Sequence, residues 1–422
     1  MNYGKLVRFI LPLAIVFTAG DIGQQVLNGG MARMPEVIAT LAAYGVALGI
    51  KGLLSTPLTQ AGQLGLVLTQ DHRARRLNQY FVLSLATIVG LLLVALGLTS
   101  IGTWLIEDLH SLTRALATEV QFALLCMVPL PFLEALTRFY SGLLLRHRQS
   151  TLVSVSTFAK IFASIGAVFV LLPLDIVQDR PIWLPLMVIY SGATAELLVV
   201  LTGYRRQVQH RLPHESDSDL SLAYTFRFFW PLVFVGAIQS GSRPVVNLFV
   251  ARGANAEFAL AVFVIVESLA GMICGWLQEL RYLPAAFRDE VDSLRYIKRF
   301  TAWCGVLGVA MMVVFCWTPV LDVILVGLIG LDTTMAAACT VPLLVYSLIP
   351  VITTPRSYLH GIAYLQHRTR ALVPATPSRM ATSVVVLLVL PNWGVEGAVL
   401  ATASVTAGLV VETLVSWWCL RR

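Results

Sequence analysis

Twelve apolar runs divide this chain, at about 6 to 28, 36 to 68, 78 to 105, 116 to 145, 150 to 174, 182 to 204, 224 to 250, 257 to 283, 297 to 317, 336 to 365, 370 to 391 and 394 to 420. Each is long enough to cross the hydrocarbon core of a bilayer as a helix, which takes about 20 predominantly apolar residues. Twelve such helices use about 240 residues and leave the rest of the 422 for helix ends and short loops. The longer runs imply tilted helices or ends that project beyond the lipid. Only 13% of residues are charged and 57% are hydrophobic, against about 25% charged in an average soluble domain. A water-soluble enzyme is excluded.

The net charge of +7 carries less information than its placement, because cytoplasmic loops of membrane proteins collect Lys and Arg. One set of loops and ends holds Lys5, Arg8, Arg73, Arg75, Arg76, Arg146, Arg148, Arg205, Arg206, Arg211, Arg295, Lys298, Arg299, Arg368, Arg370, Arg421 and Arg422. The other holds only Arg33, Arg114, Arg180 and Arg252, mixed with acids such as Glu107, Asp108, Asp175 and Asp179. Both termini are therefore expected in the cytoplasm of a cell-membrane protein. The bilayer, not nucleic acid, is the implied partner. No separate signal peptide is expected, since the run from Leu6 continues past Gly20 without a cleavage boundary. The six cysteines lie inside or at the ends of apolar runs, without CxxC or metal spacing, and read as core residues.

The two halves repeat. Arg8, Phe9, Pro12, Leu13, Asn28, Ala32 and Arg33 recur 219 positions later as Arg227, Phe228, Pro231, Leu232, Asn247, Ala251 and Arg252. Gly142 pairs with Gly361, His147-Arg148 with His367-Arg368, Pro173 with Pro391, Gly192 with Gly408 and Glu196 with Glu412. The polar stretch around Pro213 to Asp219 separates the halves. The expected organisation is an N-terminal six-helix bundle over 1–204, a cytoplasmic linker over 205–223 and a C-terminal six-helix bundle over 224–422. An even helix number per half makes the repeat parallel, with a pseudo-two-fold axis along the membrane normal. This is a transporter architecture, with the site expected where the bundles meet.

Charges at bilayer depth are costly, about 2.5–3.5 kcal/mol on insertion scales, and they face a partner or a wet cavity. By position these are Lys51, Arg138, Lys160, Arg243, Arg356 and Arg379, with acids Asp21, Glu134, Glu196, Glu267 and Glu412. A cavity lined by such cations suits a multiply charged anion, since guanidinium offers two parallel donors to carboxylate or phosphate. Arg243 precedes Pro244, where a lost backbone donor favours a kink, and Asn247 follows one turn later. Lys51 lies mid-helix between Gly49 and Gly52. Plainer readings stand beside these: Glu134 and Arg138, four apart, neutralise each other, and Arg138 and Arg356 snorkel toward the cytoplasmic ends. The GxxxG pairs Gly45/Gly49 and Gly271/Gly275 read as close-packing sites. The histidines, mostly in loops, are given no role.

The segments LVRFILPLAIVFTAGDIGQQVLNGG, AAYGVALGIKGLLSTPL, IQSGSRPVVNLFVAR, GWLQELRYLPAAF, FCWTPVLDVILVGLIGLD, PVITTPRSYLHG and LPNWGVEGAVLATASVTAGLVVET together resemble the progressive ankylosis protein family. The resemblance covers nearly the whole chain. It implies a multidrug-and-toxin-extrusion (MATE)-like fold of two six-helix bundles and the cellular release of pyrophosphate, nucleoside triphosphate and citrate. It also implies roles for Asp21, Asn28, Lys51, Gln239, Arg243, Asn247, Glu279, Arg281, Arg356, Arg379 and Glu412. Arg138, Lys160 and Glu196 stand where vertebrate members carry other residue types. The end at Arg422, without those members' long polar tail, suggests a bacterial-type form.

The expected protein is thus an all-α, twelve-helix exporter of polyvalent anions working by alternating access, a monomer without cofactor or metal. Its substrate set is Lys51, Arg243, Asn28, Asn247, Gln239, Arg138, Arg356 and Arg379. Asp21, Glu134, Glu267 and Glu412 are candidate carriers of a coupling proton or ion. An H+- or Na+-coupled cation extruder of the same fold would be expected to hold an acidic cavity. A lipid-linked precursor flippase commonly has extra helices, and a scaffold has no need of charges at mid-membrane depth. No GxSxG, HExxH or Walker loop points to an enzyme.

Overall fold

The computed structural model describes the chain apart from residues 1, 32–36, 108–113, 214–219, 251, 253–254, 291, 329–332 and 422, with backbone alone for 18–26, 28–31, 37–39, 41–42, 101, 105, 107, 256–257 and 328. Every regular element among the described residues is helical. The spans, in chain order, are α1 (Tyr3–Met31), α2 (Val37–Leu54), α3 (His72–Leu98), α4 in two segments (α4a, Arg114–Cys126; α4b, Leu130–Arg146), α5 (Ser150–Leu171) and α6 (Trp183–Gln207). Then follow α7 (Leu222–Val250), α8 (Ala256–Cys274), α9 (Ser293–Cys316), α10 in two segments (α10a, Thr333–Tyr346; α10b, Ile349–Leu365), α11 (Ala375–Val389) and α12 (Gly397–Arg421). All twelve apolar runs are accounted for. Among the described residues eight spans are long and apolar enough to cross a bilayer, and the two bent pairs raise this to ten; α1 and α2 coincide with the first two runs.

Two compact units are formed, one from 19–229 and one from 1–18 with 230–422. The division falls within α1 and α7. The core of the 19–229 unit gathers Tyr44 and Ala47 of α2, Leu93 of α3, Leu124 of α4a and Leu184 of α6.

The repeat is written into the backbone. α4 bends by 46° and α10 by 42°. In both, a proline stands at the second residue of the following segment, Pro131 and Pro350, 219 positions apart. A proline lacks the N–H for the helical bond and its ring crowds the carbonyl four residues earlier, which favours a bend at these two positions. Both segments then end on a residue in the left-handed region, Arg148 (φ 61°) and His367 (φ 57°). The residue after each bonds back across the turn: Gln149 N donates to the Leu144 carbonyl and Arg368 N to the Ala363 carbonyl, both 3 Å or slightly less (2.8 and 2.9 Å). This corrects the sequence pairing of His147 with His367 by one residue: Arg148 is the mate of His367, and the offset of 219 holds from Pro131 to Arg148.

Close packing also differs from expectation. A Cβ on Gly45, Gly49 or Gly271 would meet no described atom within 4 Å. Of the four glycines only Gly275 is closely packed, against the Phe17 ring, and further tight contacts lie at Gly192 and Gly408. There a Cβ would collide with the hydroxyl of Ser164 or Ser383 and crowd the backbone and side chain of Lys160 or Arg379. GxxxG spacing identifies a helix face, but only a partner helix makes it an interface. All six cysteines are free thiols, four of them buried.

Candidate functional site

Each unit holds a cluster of ionisable side chains inside its helices. In the 1–18/230–422 unit the centre is Glu412 of α12, whose side chain is fully buried. Arg356 Nε of α10b lies 3.1 Å from Oε1 and Arg379 Nη1 of α11 lies 3.3 Å from Oε2. Gln239 of α7 donates from Nε2 to Oε1 at 3.2 Å, and His360 Nε2 stands at 3.9 Å. A carboxylate taken out of water needs this many donors, because its desolvation is offset only by several short contacts. Arg243 of α7 makes a separate pair with Glu267 of α8, at 3.0 Å, with the arginine side chain 53% exposed.

In the 19–229 unit Lys51 of α2, buried, is ion-paired with Glu134 of α4b. Lys160 of α5 pairs with Glu196 of α6 at 3.2 Å. Both Glu134 and Glu196, with Lys160, line a cavity of about 310 Å³. Thr137, Thr157 and Ser164 add hydroxyls, while Tyr44, Leu48 and Val188 supply apolar wall.

The two clusters are related by the repeat. Lys160 and Ser164 correspond to Arg379 and Ser383 at an offset of 219, and Gly192 and Glu196 to Gly408 and Glu412 at 216. The shared glycine–serine contact described above brings α5 against α6, and α11 against α12, closely enough for each cation to reach its carboxylate.

Several sequence expectations change. Glu134 is not neutralised by Arg138 but by Lys51; Arg138 lies exposed on α4b. Arg356 does not snorkel to an interface, since it is turned inward onto Glu412 with 12% of its side chain exposed. Arg243 does have a carboxylate partner. The helix runs on through Pro244. Asn247 carries a buried side-chain oxygen with no hydrogen bond among the described residues. Asp21 and Asn28 have side chains outside the described residues. Arg281 donates to the Tyr282 hydroxyl at 3.1 Å within the 3-10 segment Gly275–Tyr282 that also carries Glu279. Sequence reasoning missed His360, which is buried beside Glu412 and is not a loop histidine. It left Lys160 out of the substrate set, although extending the repeat register would have matched it to Arg379.

All-helical spans in two units, with paired charges inside each, define a multi-span membrane protein of the MATE transporter fold. A eukaryotic MATE transporter, AtDTX14, superposes with a TM-score of 0.68 at 15% identity, covering 99% of this chain and 95% of that one. The MATE transporter ClbM in complex with Rb+ gives 0.68 at 14%, covering 100% and 95%. A MOP superfamily transporter from Pyrococcus furiosus, described as having a binding pocket of reverse polarity, gives 0.65 at 13%, covering 98% and 95%. Within that fold, the model of the progressive ankylosis protein (ANKH) family matches residues 1–318. The chain belongs to that family.

Proposed function

We propose that the protein exports polyvalent anions, of the citrate, pyrophosphate and nucleotide class, across the cell membrane by alternating access. Both termini are cytoplasmic in this reading and the monomer is the working unit. The observation that carries it is the charge balance of the 1–18/230–422 unit, where, among the described residues, Arg243, Arg356 and Arg379 are ion-paired with Glu267 and Glu412 alone. One guanidinium is in excess, and that of Arg243, 53% exposed, is open to an incoming anion. Each arginine-to-oxygen contact is a charge-assisted hydrogen bond of about 1.5–3 kcal/mol, so an anion making two or three outbinds a monoanion. Family membership supports the same direction. The second reading, a coupled cation extruder, draws on the 19–229 unit, where two lysines and two glutamates balance.

A binding screen separates the two. Purified protein is titrated with citrate, pyrophosphate, ATP, acetate and ethidium. Binding that rises with valence, and weakens at least tenfold in Arg356→Ala and in Arg243→Ala, is expected. Binding of ethidium with no effect of the anions replaces the anion reading with the cation one.

A further inference from the structure

On α1 the apolar residues Val7, Leu11 and Ile15 recur every fourth position, and on α9 Trp303, Leu307 and Met311 do the same. All six are exposed, and together they line a groove of about 450 Å³ between the two helices. Both helix segments belong to the 1–18/230–422 unit. The rings of Tyr3 and Tyr296 meet edge to face at 5.5 Å, which sets the first turns of α1 and α9 side by side at one end of the groove. From that contact to the last wall residue, Ile15 on α1 and Met311 on α9, the helices rise by about 18–22 Å at 1.5 Å per residue. Half of a hydrocarbon core of about 30 Å is shorter than this. The groove therefore reaches through one leaflet.

Its polar end is cationic. Arg8 stands one turn before Leu11 and Arg299 one turn before Trp303, and both are exposed. Among the described residues neither is ion-paired, whereas Lys5 is held by Glu290 at 3.1 Å and Asp289 lies 3.5 Å from Arg288. Asp292, one turn before Tyr296, is outnumbered by Arg295 and Lys298. A guanidinium at the edge of the bilayer offers parallel donors to a phosphate, and basic pockets beside spanning helices hold anionic headgroups. A zwitterionic lipid would bring its own cation to the same arginines.

We infer that the groove between α1 and α9 binds one anionic phospholipid. An acyl chain lies along the Val7, Leu11, Trp303 and Leu307 side chains, and the phosphate is held by Arg8 and Arg299. Tyr3 and Tyr296 stand at headgroup level, where such rings collect. The lipid ties the first turns of α1 to α9 within one unit. None of these residues belongs to the anion set proposed above, so the two readings stand or fall separately.

The test is native mass spectrometry of the purified full-length protein in detergent, titrated with dioleoyl phosphatidylglycerol and separately with dioleoyl phosphatidylcholine. The first phosphatidylglycerol is expected to bind at least tenfold more tightly than phosphatidylcholine, and inorganic phosphate should not displace it. Arg8→Gln combined with Arg299→Gln should erase the preference. Ala14→Phe narrows the groove, which Ala14 also lines, with both arginines in place, and should weaken phosphatidylglycerol at least tenfold. Lys5→Gln, whose side chain is already engaged, should leave binding within twofold of wild type. A melting curve for each variant identifies any loss through misfolding, and the comparison of the two lipids on wild-type protein needs no variant. Equal affinity for the two lipids would mean an ordinary lipid annulus and overturn the inference. So would displacement by inorganic phosphate, wild-type binding in both folded groove variants, or a loss in Lys5→Gln as large as in the arginine pair.

Discussion

Replacing Glu412 with alanine removes the acceptor shared by Arg356, Arg379 and Gln239. It leaves two guanidinium groups, 12% and 14% exposed, with no counter-ion between them. Breaking a buried pair from one side costs about 3–5 kcal/mol, because the surviving charge stays out of water. Repulsion between the two arginines adds to this, and the slight exposure of each subtracts from it, so the expected loss stays at about 3–5 kcal/mol. In a unit of this size that lowers the unfolding midpoint by on the order of 10 °C. Arg243→Ala is the internal reference. Its pair with Glu267 is 53% and 35% exposed, and an exposed pair contributes about 0–1 kcal/mol. The assay is thermal unfolding of the purified protein in detergent, followed by tryptophan fluorescence. Adding Arg379→Ala to Glu412→Ala should recover part of the loss, since the two changes act on one network and are not additive. If Glu412→Ala melted as close to wild type as Arg243→Ala does, the buried cluster would not be holding the unit together.

Three further outcomes follow from particular contacts. Gly408→Ala places a methyl against the Ser383 hydroxyl and 3.0 Å from the Arg379 carbonyl oxygen, and should destabilise by about 1–3 kcal/mol; Ser383→Ala in the same chain should restore part of this in a melting experiment. His367, outside the spans, has its imidazole held below the usual 6.5 by burial first and the Arg288 charge second. The folded state therefore takes up that proton at lower pH than the unfolded chain, and its contribution is complete above about pH 6.5 and declines as pH falls toward the folded value. The melting midpoint should drop on going from about pH 7 to about pH 5, and drop less in His367→Asn, which tolerates the left-handed backbone; equal drops would exonerate His367. Finally, an impermeant thiol reagent should label His110→Cys in intact cells and His214→Cys only in opened ones, and the reverse pattern would invert the topology.

The twelve spans, the repeat and the list of costly charges were legible because each leaves a mark that does not depend on tertiary contacts: length, spacing and charge at depth. The pairings were not. Glu134 has Arg138 one turn away on its own helix, yet meets Lys51, which is 83 positions distant in sequence. In helices that are apolar nearly all round, hydropathy fixes a span but hardly its rotation, and rotation decides which carboxylate a cation meets. Arg356 was read as snorkelling for the same reason. His360 was passed over because the other histidines are in loops. The bends were available in principle, since Pro131 and Pro350 keep the repeat offset, as were the mates Lys160 and Arg379.

Comparison of mates also sorts the charges by what they are for. Lys160–Glu196 and Arg379–Glu412 recur in both units with the same glycine–serine contact beside them, and a pair kept in both copies of a fold is most economically a requirement of that fold. Lys51, Arg243 and Arg356 have no charged mates; Ala270, Gln24 and Thr137 stand at the corresponding positions. Their cost at bilayer depth is met in one copy only, so packing common to both copies cannot be the reason for them. On the proposed reading, those three are the residues expected to contact the ligand. Substituting Lys160 or Arg379 by methionine should then register mainly in melting temperature, and substituting Lys51 or Arg243 mainly in ligand binding.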